Sequence, residues 1–214
     1  MSDFLKLFLQ QLIDTSNWEW LAVILALAYL LLAVKENLWC WPAAFVSTAI
    51  YTILFFEVSL YMESALNIYY LLMAIYGWYQ WQYLTEGKKV KPVNVWSVRK
   101  HLTIIASTSI LIYLSGFLLE KYTSQEFAYI DSFTTWFAVI TTYMVTQKVL
   151  ENWIYWIVID VVSISLYLQK GFALTSVLFV CYVVIAAFGW LKWKKHYRDQ
   201  IQSDRQSQIC RARL

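Results

Sequence analysis

The sequence predicts an all-α polytopic membrane protein, with seven transmembrane helices in a 3+1+3 arrangement of parallel repeats. Its composition is 60% hydrophobic and only 14% charged, whereas a soluble domain of ordinary composition carries about 25% charged residues. The apolar residues fall into blocks close to the roughly 20 residues that a helix needs to cross a bilayer. The third observation is an aromatic motif that occurs twice along the chain.

Seven apolar blocks predict seven spans, separated by short polar stretches. In chain order they are Trp18–Val34, Leu38–Phe56, Leu60–Tyr83, His101–Leu119, Ala128–Thr146, Trp153–Leu168 and Gly171–Trp193. Residues 1–17 are too short and too polar to span. Their apolar residues Leu5, Phe8, Leu9 and Leu12 share one helical face, which is typical of an amphipathic helix on the membrane surface.

The basic residues predict the orientation of the chain. With seven spans, 14 of the 17 Lys and Arg residues lie on one side of the membrane, in the loop after the third span, in the tail, and at Lys35 and Lys148. Only Lys6, Lys121 and Lys170 lie on the other side. The positive-inside rule then places the N-terminus outside and the C-terminus in the cytoplasm.

Two halves of the chain repeat one another. Tyr70, Gly77, Trp78 and Trp81 recur 112 residues later as Tyr182, Gly189, Trp190 and Trp193. Upstream, the Glu-Asn pair that begins at residue 36 resembles the pair that begins at residue 151, at an offset of 115. A unit of three spans on either side of one linker span gives parallel repeats, and parallel repeats are a known plan among membrane transporters.

This organisation predicts five segments. They are an N-terminal amphipathic segment 1–17, a first three-helix bundle 18–83, a basic loop with the linker helix 84–127, a second three-helix bundle 128–194 and a basic tail 195–214.

Polar and aromatic residues share one face of the sixth span. Trp153, Trp156, Asp160, Ser163 and Tyr167 recur at spacings of three and four residues. Asp160 lies near the centre of its span, where a carboxylate costs about 2.5–3.5 kcal/mol on insertion scales. It must therefore face the bundle interior or water. Two interpretations remain open: a hydrogen bond that clamps two helices, or a contact to a substrate or proton.

The third span carries a comparable face. Asn67 can donate and accept hydrogen bonds, as a sugar hydroxyl requires, although it could equally join two helices. Gly77 and Gly189 are expected to let helices approach closely. Trp78 lies near a span end, where an aromatic belt is the alternative to a site. In the second span, Tyr51 is one of few polar groups in an apolar block.

Nothing in the chain points to catalysis, to a cofactor or to a metal. Cys40, Cys181 and Cys210 show no metal-binding spacing, and no phosphate-binding loop occurs. The basic tail is explained by topology and by contact with anionic membrane lipids rather than by nucleic acid. A small-molecule substrate and lipids are the expected partners, and a homo-oligomer is left open.

Ordered motifs in both halves resemble the PnuC family. The first set runs from Trp41-Pro42 through Asn67 and Tyr70 to Gly77-Trp78, and the second from Glu151-Asn152 through Asp160 to Lys170-Gly171. The resemblance covers about residues 20–195. It implies a bacterial inner-membrane transporter of nicotinamide riboside, a vitamin B3 precursor of NAD biosynthesis. It further implies a fold like that of SWEET sugar transporters, and facilitated diffusion.

A cationic aromatic ring with a ribose would suit aromatic faces beside hydrogen-bonding groups. The residues expected to bind substrate are Asn67, Tyr70, Trp153, Trp156, Asp160, Tyr182, Trp78, Ser163 and Tyr51. Three alternatives stay open: the same fold carrying thiamine, the same fold carrying riboflavin, or a membrane scaffold or sensor that transports nothing.

Overall fold

The computed structural model describes residues 2–57, 61–86, 91–123 and 127–211. Four residues that entered the sequence analysis lie outside these ranges. They are Leu60, where the third predicted span begins, and Lys88, Lys89 and Arg213, which were counted among the 14 basic residues on one side. The described residues form eight α-helices: α1 Ser2–Asp14, α2 Asn17–Val34, α3 Cys40–Glu57, α4 Tyr61–Glu86, α5 Val98–Tyr122, α6 Ala128–Thr146, α7 Asn152–Gln169 and α8 Ala173–Arg211. In these ranges the only β-type pairing is one isolated bridge, Asn94 to Val149.

The predicted all-α membrane architecture is confirmed. Each predicted span corresponds to one helix, and five helices are long and apolar enough to cross a membrane: α2, α3, α5, α7 and α8. Helices α4 and α6 have 26 and 19 residues but carry more polar side chains. The count of seven spans therefore stays a prediction.

The helix ends follow from local chemistry. The Ser16 side chain caps α2 by accepting a hydrogen bond from the Glu19 amide at 3.2 Å, and Ser97 caps α5 in the same way. At the other end of the chain, the prediction that the helix stops near Trp193 is wrong. Helix α8 continues to Arg211, because polar residues after Trp193 end the apolar block without ending the helix.

Neighbouring helices pack in chain order. Helix α3 lies against α2 and α4, and α7 lies against α6 and α8, while the linker helix α5 packs on α6. The two triplets α2–α4 and α6–α8 meet through α4 with α6 and through α2 with α8. Helix α1 joins α8 through Gln11, whose amide donates to the Gly171 carbonyl and accepts from the Leu174 amide, both at 2.9 Å.

The structure corrects the register of the repeat. Helices α2 and α6 end in the same motif, with Glu36 at φ 54° and Lys148 at φ 52°. In each case the backbone amide of the next residue donates to a carbonyl five residues before it at 3.0 Å. Asn37 donates in this way to Leu32, and Val149 makes the equivalent hydrogen bond at the end of α6. The offset is thus 112 here as well, and the offset of 115 for the upstream motif is wrong. The two Glu-Asn pairs are similar in sequence but not equivalent in structure.

Candidate functional site

Two matched tryptophans pack on two matched glycines at one end of the helix triplets. A Cβ atom at Gly77 would overlap the Trp41 ring, and one at Gly189 would overlap the Trp153 ring. The predicted role of both glycines in close helix approach is confirmed. Trp153 is 1% exposed, so the structure places this predicted site residue within the packed core.

A cavity lies next to this tryptophan layer, between the two triplets. Its volume is about 120 Å³, and it is partly open to solvent. Four aromatic residues line it: Tyr29, Trp41, Tyr70 and Trp156. Its Ser and Thr hydroxyls, those of Ser47, Thr48 and Thr142, all donate to helix carbonyls at 2.8–2.9 Å. The wall that remains for a ligand is therefore mainly aromatic and apolar.

Asp160 is buried in the centre of α7. The residue is 4% exposed, and its carboxylate makes no hydrogen bond to any residue in the described part of the chain. A buried polar group in a native protein is normally hydrogen-bonded, and a buried charge is normally paired. A helix clamp would have required a partner on a neighbouring helix. An unpartnered carboxylate at this depth is instead available to a bound molecule.

Tyrosines from both repeats surround this carboxylate. Tyr70 and Tyr182 are related by the 112-residue offset, and both lie within range of an electrostatic interaction with Asp160. Tyr51 lies within the same range of Tyr182 and stacks on Phe55. The structure thus places Tyr70 and Tyr182 near Asp160, with Tyr51 near Tyr182, and Tyr70 also lines the cavity.

Other predicted residues lie near the cluster or away from it. Ser163 is buried on α7 less than one turn from Asp160, and Asn67 is also buried. The Asn67 amide donates to the Glu63 carbonyl of its own helix at 2.9 Å, so its side-chain oxygen is the atom left for a ligand. Trp78 packs edge-to-face on Trp39, with ring centroids 6.1 Å apart, and does not line the cavity.

Sequence reasoning missed two aromatic walls of the cavity, Tyr29 and Trp41. Tyr29 is the one tyrosine in the otherwise apolar stretch Leu21–Val34, and that exception could have indicated it. Trp41 appeared in the sequence motif only as the neighbour of a proline. Its ring reaches the cavity because Gly77 opposite has no side chain.

At the end of the bundle that carries the basic loops, hydrogen bonds join the segment before α5 to the end of α6 and the residues that follow it. The ammonium group of Lys91 donates to the Thr146 carbonyl at 3.2 Å and to the Gln147 side chain at 2.9 Å. Asn94 exchanges backbone hydrogen bonds with Lys148 and Leu150 at 3.0 and 2.8 Å. Burial and then the charge of Lys148 lower the pKa of Lys91 to about 8. No group of three His, Cys, Asp or Glu side chains in the described ranges is arranged to hold a metal.

A polytopic helical membrane protein with a buried aromatic cavity between two helix triplets has the architecture of a small-solute transporter. Comparison with known proteins agrees. Residues 16–195 match the nicotinamide mononucleotide transporter family, and the chain belongs to that family. It is a transporter and not an enzyme.

The individual relatives are vitamin transporters, but they carry different substrates. The riboflavin/roseoflavin transporter RibM of Streptomyces davaonensis is 25% identical over 175 residues, covering 79% of this chain and 81% of the relative. The nicotinamide riboside transporter PnuC of Escherichia coli is 22% identical, covering 87% and 89%. A crystal structure of the vitamin B3 transporter PnuC superposes with a TM-score of 0.70 at 18% identity, over 92% of this chain and 90% of that one. That likeness supports the fold.

Proposed function

We propose that this protein imports nicotinamide riboside across the bacterial inner membrane by facilitated diffusion. The observation that carries the proposal is the buried, unpartnered carboxylate of Asp160, four residues along α7 from Trp156 in the cavity wall. Nicotinamide riboside combines a fixed positive charge on an aromatic ring with a ribose. The charge suits a buried carboxylate, and the ring suits tryptophan and tyrosine faces, at about 0.5–2 kcal/mol for each contact.

The proposed site lies between the two triplets. The pyridinium ring would lie against Trp156 and Tyr70, with Asp160 as its counter-ion. The ribose hydroxyls would accept hydrogen bonds from the hydroxyls of Tyr182 and Ser163 and would donate one to the side-chain oxygen of Asn67. Trp153, which the sequence also suggested, packs in the tryptophan layer next to this site, whereas Trp78 packs on Trp39 outside the cavity.

Transport is proposed to need no ion gradient. Within the described spans, Asp160 is the only acidic residue near a helix centre, and no Lys or Arg lies at its depth. A coupled carrier would need further ionisable groups along the path. We therefore expect uptake to follow the substrate gradient alone, and cellular accumulation to depend on later chemical modification of the substrate.

The orientation proposed from the basic residues has the N-terminus outside and the C-terminus in the cytoplasm. Reporter fusions after Arg211 test it: a cytoplasmic reporter should be active there and a periplasmic one silent. Activity of the periplasmic reporter alone would reverse the orientation.

Proteoliposomes test the function. The purified chain should give saturable uptake of nicotinamide riboside that stops at equal concentrations inside and outside. An imposed proton or sodium gradient should not change that end point. Accumulation above equilibrium, driven by a gradient, would contradict facilitated diffusion.

Riboflavin is a second candidate substrate, favoured by the 25% identity to RibM, and thiamine is a third, since it is also an aromatic cation. Binding calorimetry with all three ligands separates them. Riboflavin is neutral and gains nothing from a buried counter-ion, so preferential binding of riboflavin would show that Asp160 has another role.

A further inference from the structure

Four tryptophans form a continuous row across the two helix triplets. Trp41 lies edge-to-face on Trp81 with ring centroids 5.2 Å apart, and Trp153 lies edge-to-face on Trp193 at 5.4 Å. The inner two rings, Trp81 and Trp193, contact each other at 6.2 Å. The row has two equivalent halves, because Trp41 and Trp81 correspond to Trp153 and Trp193 at the 112-residue offset.

Hydrogen bonds cross between the triplets at this row in a reciprocal way. The indole of Trp81 in α4 donates to the carbonyl of Thr146, the last residue of α6, at 3.2 Å. The indole of Trp193 in α8 donates to the carbonyl of Ala33 at the end of α2, also at 3.2 Å. Each triplet therefore bonds to the C-terminal end of the first helix of the other triplet: α4 bonds to α6, and α8 bonds to α2.

An ion pair joins the same two helix ends. The Lys148 ammonium lies 2.8 Å from the Glu36 carboxylate and 4.6 Å from the centre of the Trp81 ring. Both side chains are largely buried, with 2% and 12% exposure. His196 of α8 also contacts Glu36. Glu36 and Lys148 are 112 residues apart and occupy equivalent left-handed positions after α2 and α6.

Contacts between equivalent residues have a geometric meaning. Two residues related by a two-fold axis can touch each other only where both lie beside that axis. Glu36 with Lys148, and Trp81 with Trp193, are two such pairs. In a transporter built from parallel repeats, the solute passes between the repeats. The two pairs therefore lie across that path, and Trp41 is both part of the row and part of the cavity wall.

We propose that the Trp81–Trp193 contact and the Glu36–Lys148 ion pair form the inner gate of the transporter, closed in this structure. The gate lies at the end that carries the basic loops, between the cavity and the cytoplasm. Release of solute then requires the pair to separate and the two indoles to leave the opposite helix ends. This inference rests on the proposed transport function, and the first experiment below is independent of any substrate.

The first test measures access to the cavity from the cytoplasmic end. Thr48, which lines the cavity, is replaced by cysteine in a chain whose Cys40, Cys181 and Cys210 are replaced by alanine. A membrane-impermeant maleimide is added to inside-out vesicles. Labelling should be slow in this parent and several-fold faster with Glu36→Lys, which puts two positive charges together at the gate.

Exchanging the two charges of the ion pair should reverse the effect of Glu36→Lys. Glu36→Lys combined with Lys148→Glu restores an ion pair with its charges exchanged, and labelling should return to the slow rate. The matched control is Asp131→Asn, which removes the ion pair to Lys170 between α6 and α7 within one triplet. Its labelling should equal that of the parent. Equal labelling of the parent and Glu36→Lys, or failure of the exchanged pair to restore slow labelling, would overturn the gate.

A second test does not depend on how the charge variants fold. Cysteines at positions 36 and 148 are joined by a short bifunctional thiol reagent that reduction can cleave. Cross-linking should stop nicotinamide riboside uptake, and reduction should restore it, whereas the same bridge between positions 131 and 170 should leave uptake intact. Undiminished uptake by the cross-linked protein would refute the gate. Absence of uptake before cross-linking would instead count against the proposed function.

Discussion

The two helix triplets share a packing scheme and differ in the residues that face the cavity. Trp41, Gly77 and Trp81 in the first triplet have the same contacts as Trp153, Gly189 and Trp193 in the second. Towards the membrane centre the equivalence ends. About one turn further along the helices, Ala44 corresponds to Trp156, and about two turns further along, Thr48 corresponds to Asp160.

The repeated unit has two roles, helix packing and solute binding, and different positions serve each role. Packing between helices needs the same shapes in both copies, because both copies form the same junction. A solute such as nicotinamide riboside has no two-fold symmetry, so a site that binds it must differ between the copies. The retained positions therefore define the scaffold, and the diverged positions Ala44/Trp156 and Thr48/Asp160 are the ones that we propose to distinguish the side on which the charged ring binds.

The largest effect should come from breaking the shared packing. Gly77→Val and Gly189→Val each place side-chain atoms inside a tryptophan ring, and overpacking of this severity costs about 3 kcal/mol or more. We expect both variants to lose most of their thermal stability in detergent, to a similar degree. Gly171→Val is the control for backbone strain, since nothing lies near a Cβ at Gly171 although its φ is +78°. A large loss in only one of the two packed variants would show that the scaffold is not shared.

The next effect concerns the diverged polar pair. Asp160→Asn keeps the shape and removes the charge, and loss of a charge-assisted contact costs about 1.5–3 kcal/mol. Binding of nicotinamide riboside should weaken by tenfold or more, since about 1.4 kcal/mol is a factor of ten. Calorimetry provides the measurement. Thr48→Val at the equivalent position should change affinity little, because the Thr48 hydroxyl is already bonded to Ala44. Equal losses in both variants would remove the distinction between the triplets.

A smaller effect is expected at the aromatic wall. Trp156→Ala removes one ring from the cavity and should weaken binding by roughly tenfold, within the range of one cation–π contact with its packing. Trp78→Ala removes an indole that packs on Trp39 outside the cavity, and its affinity should stay close to that of the parent. If Trp78→Ala weakens binding more than Trp156→Ala, the ligand lies nearer the helix ends than proposed.

The sequence predicted the helices well because a membrane imposes a simple rule on them. The block Ala128–Thr146 was predicted with the bounds that the structure has, since apolar residues must cover the span. The same rule says nothing about residues after Trp193, where a polar helix is equally stable in water. It also could not fix the repeat register, because Glu36 and Lys148 share a backbone conformation but no side-chain chemistry.

The candidate site was predictable in its polar residues and in two of the four aromatic residues that line the cavity, Tyr70 and Trp156. Asp160 was found because a carboxylate in a span is costly, and Tyr70 and Tyr182 were found through the repeat. Tyr29 was not predicted, because its contribution depends on how α2 packs against α3 and α4. Trp153 and Trp156 look alike in sequence, yet one is in the core and the other lines the cavity. Only the packing of helices separates the two roles.

The smallest predicted effect lies at the junction, where Lys91 lies near enough to Lys148 to feel its charge. Burial and the neighbouring charge lower the Lys91 pKa from 10.5 to about 8. Between these pH values the unfolded chain keeps the proton that the folded chain has lost, so the free energy of unfolding rises with pH. The penalty of the charged form is fully present below about pH 8 and disappears as pH approaches 10.5.

Lys91→Met removes this titration while keeping most of the side-chain stem. Relative to that variant, the parent should gain a few degrees of melting temperature between pH 8 and pH 10, because groups common to both chains cancel in the difference. Melting in detergent at several pH values measures it. Parallel pH profiles for the parent and Lys91→Met would contradict the lowered pKa of Lys91.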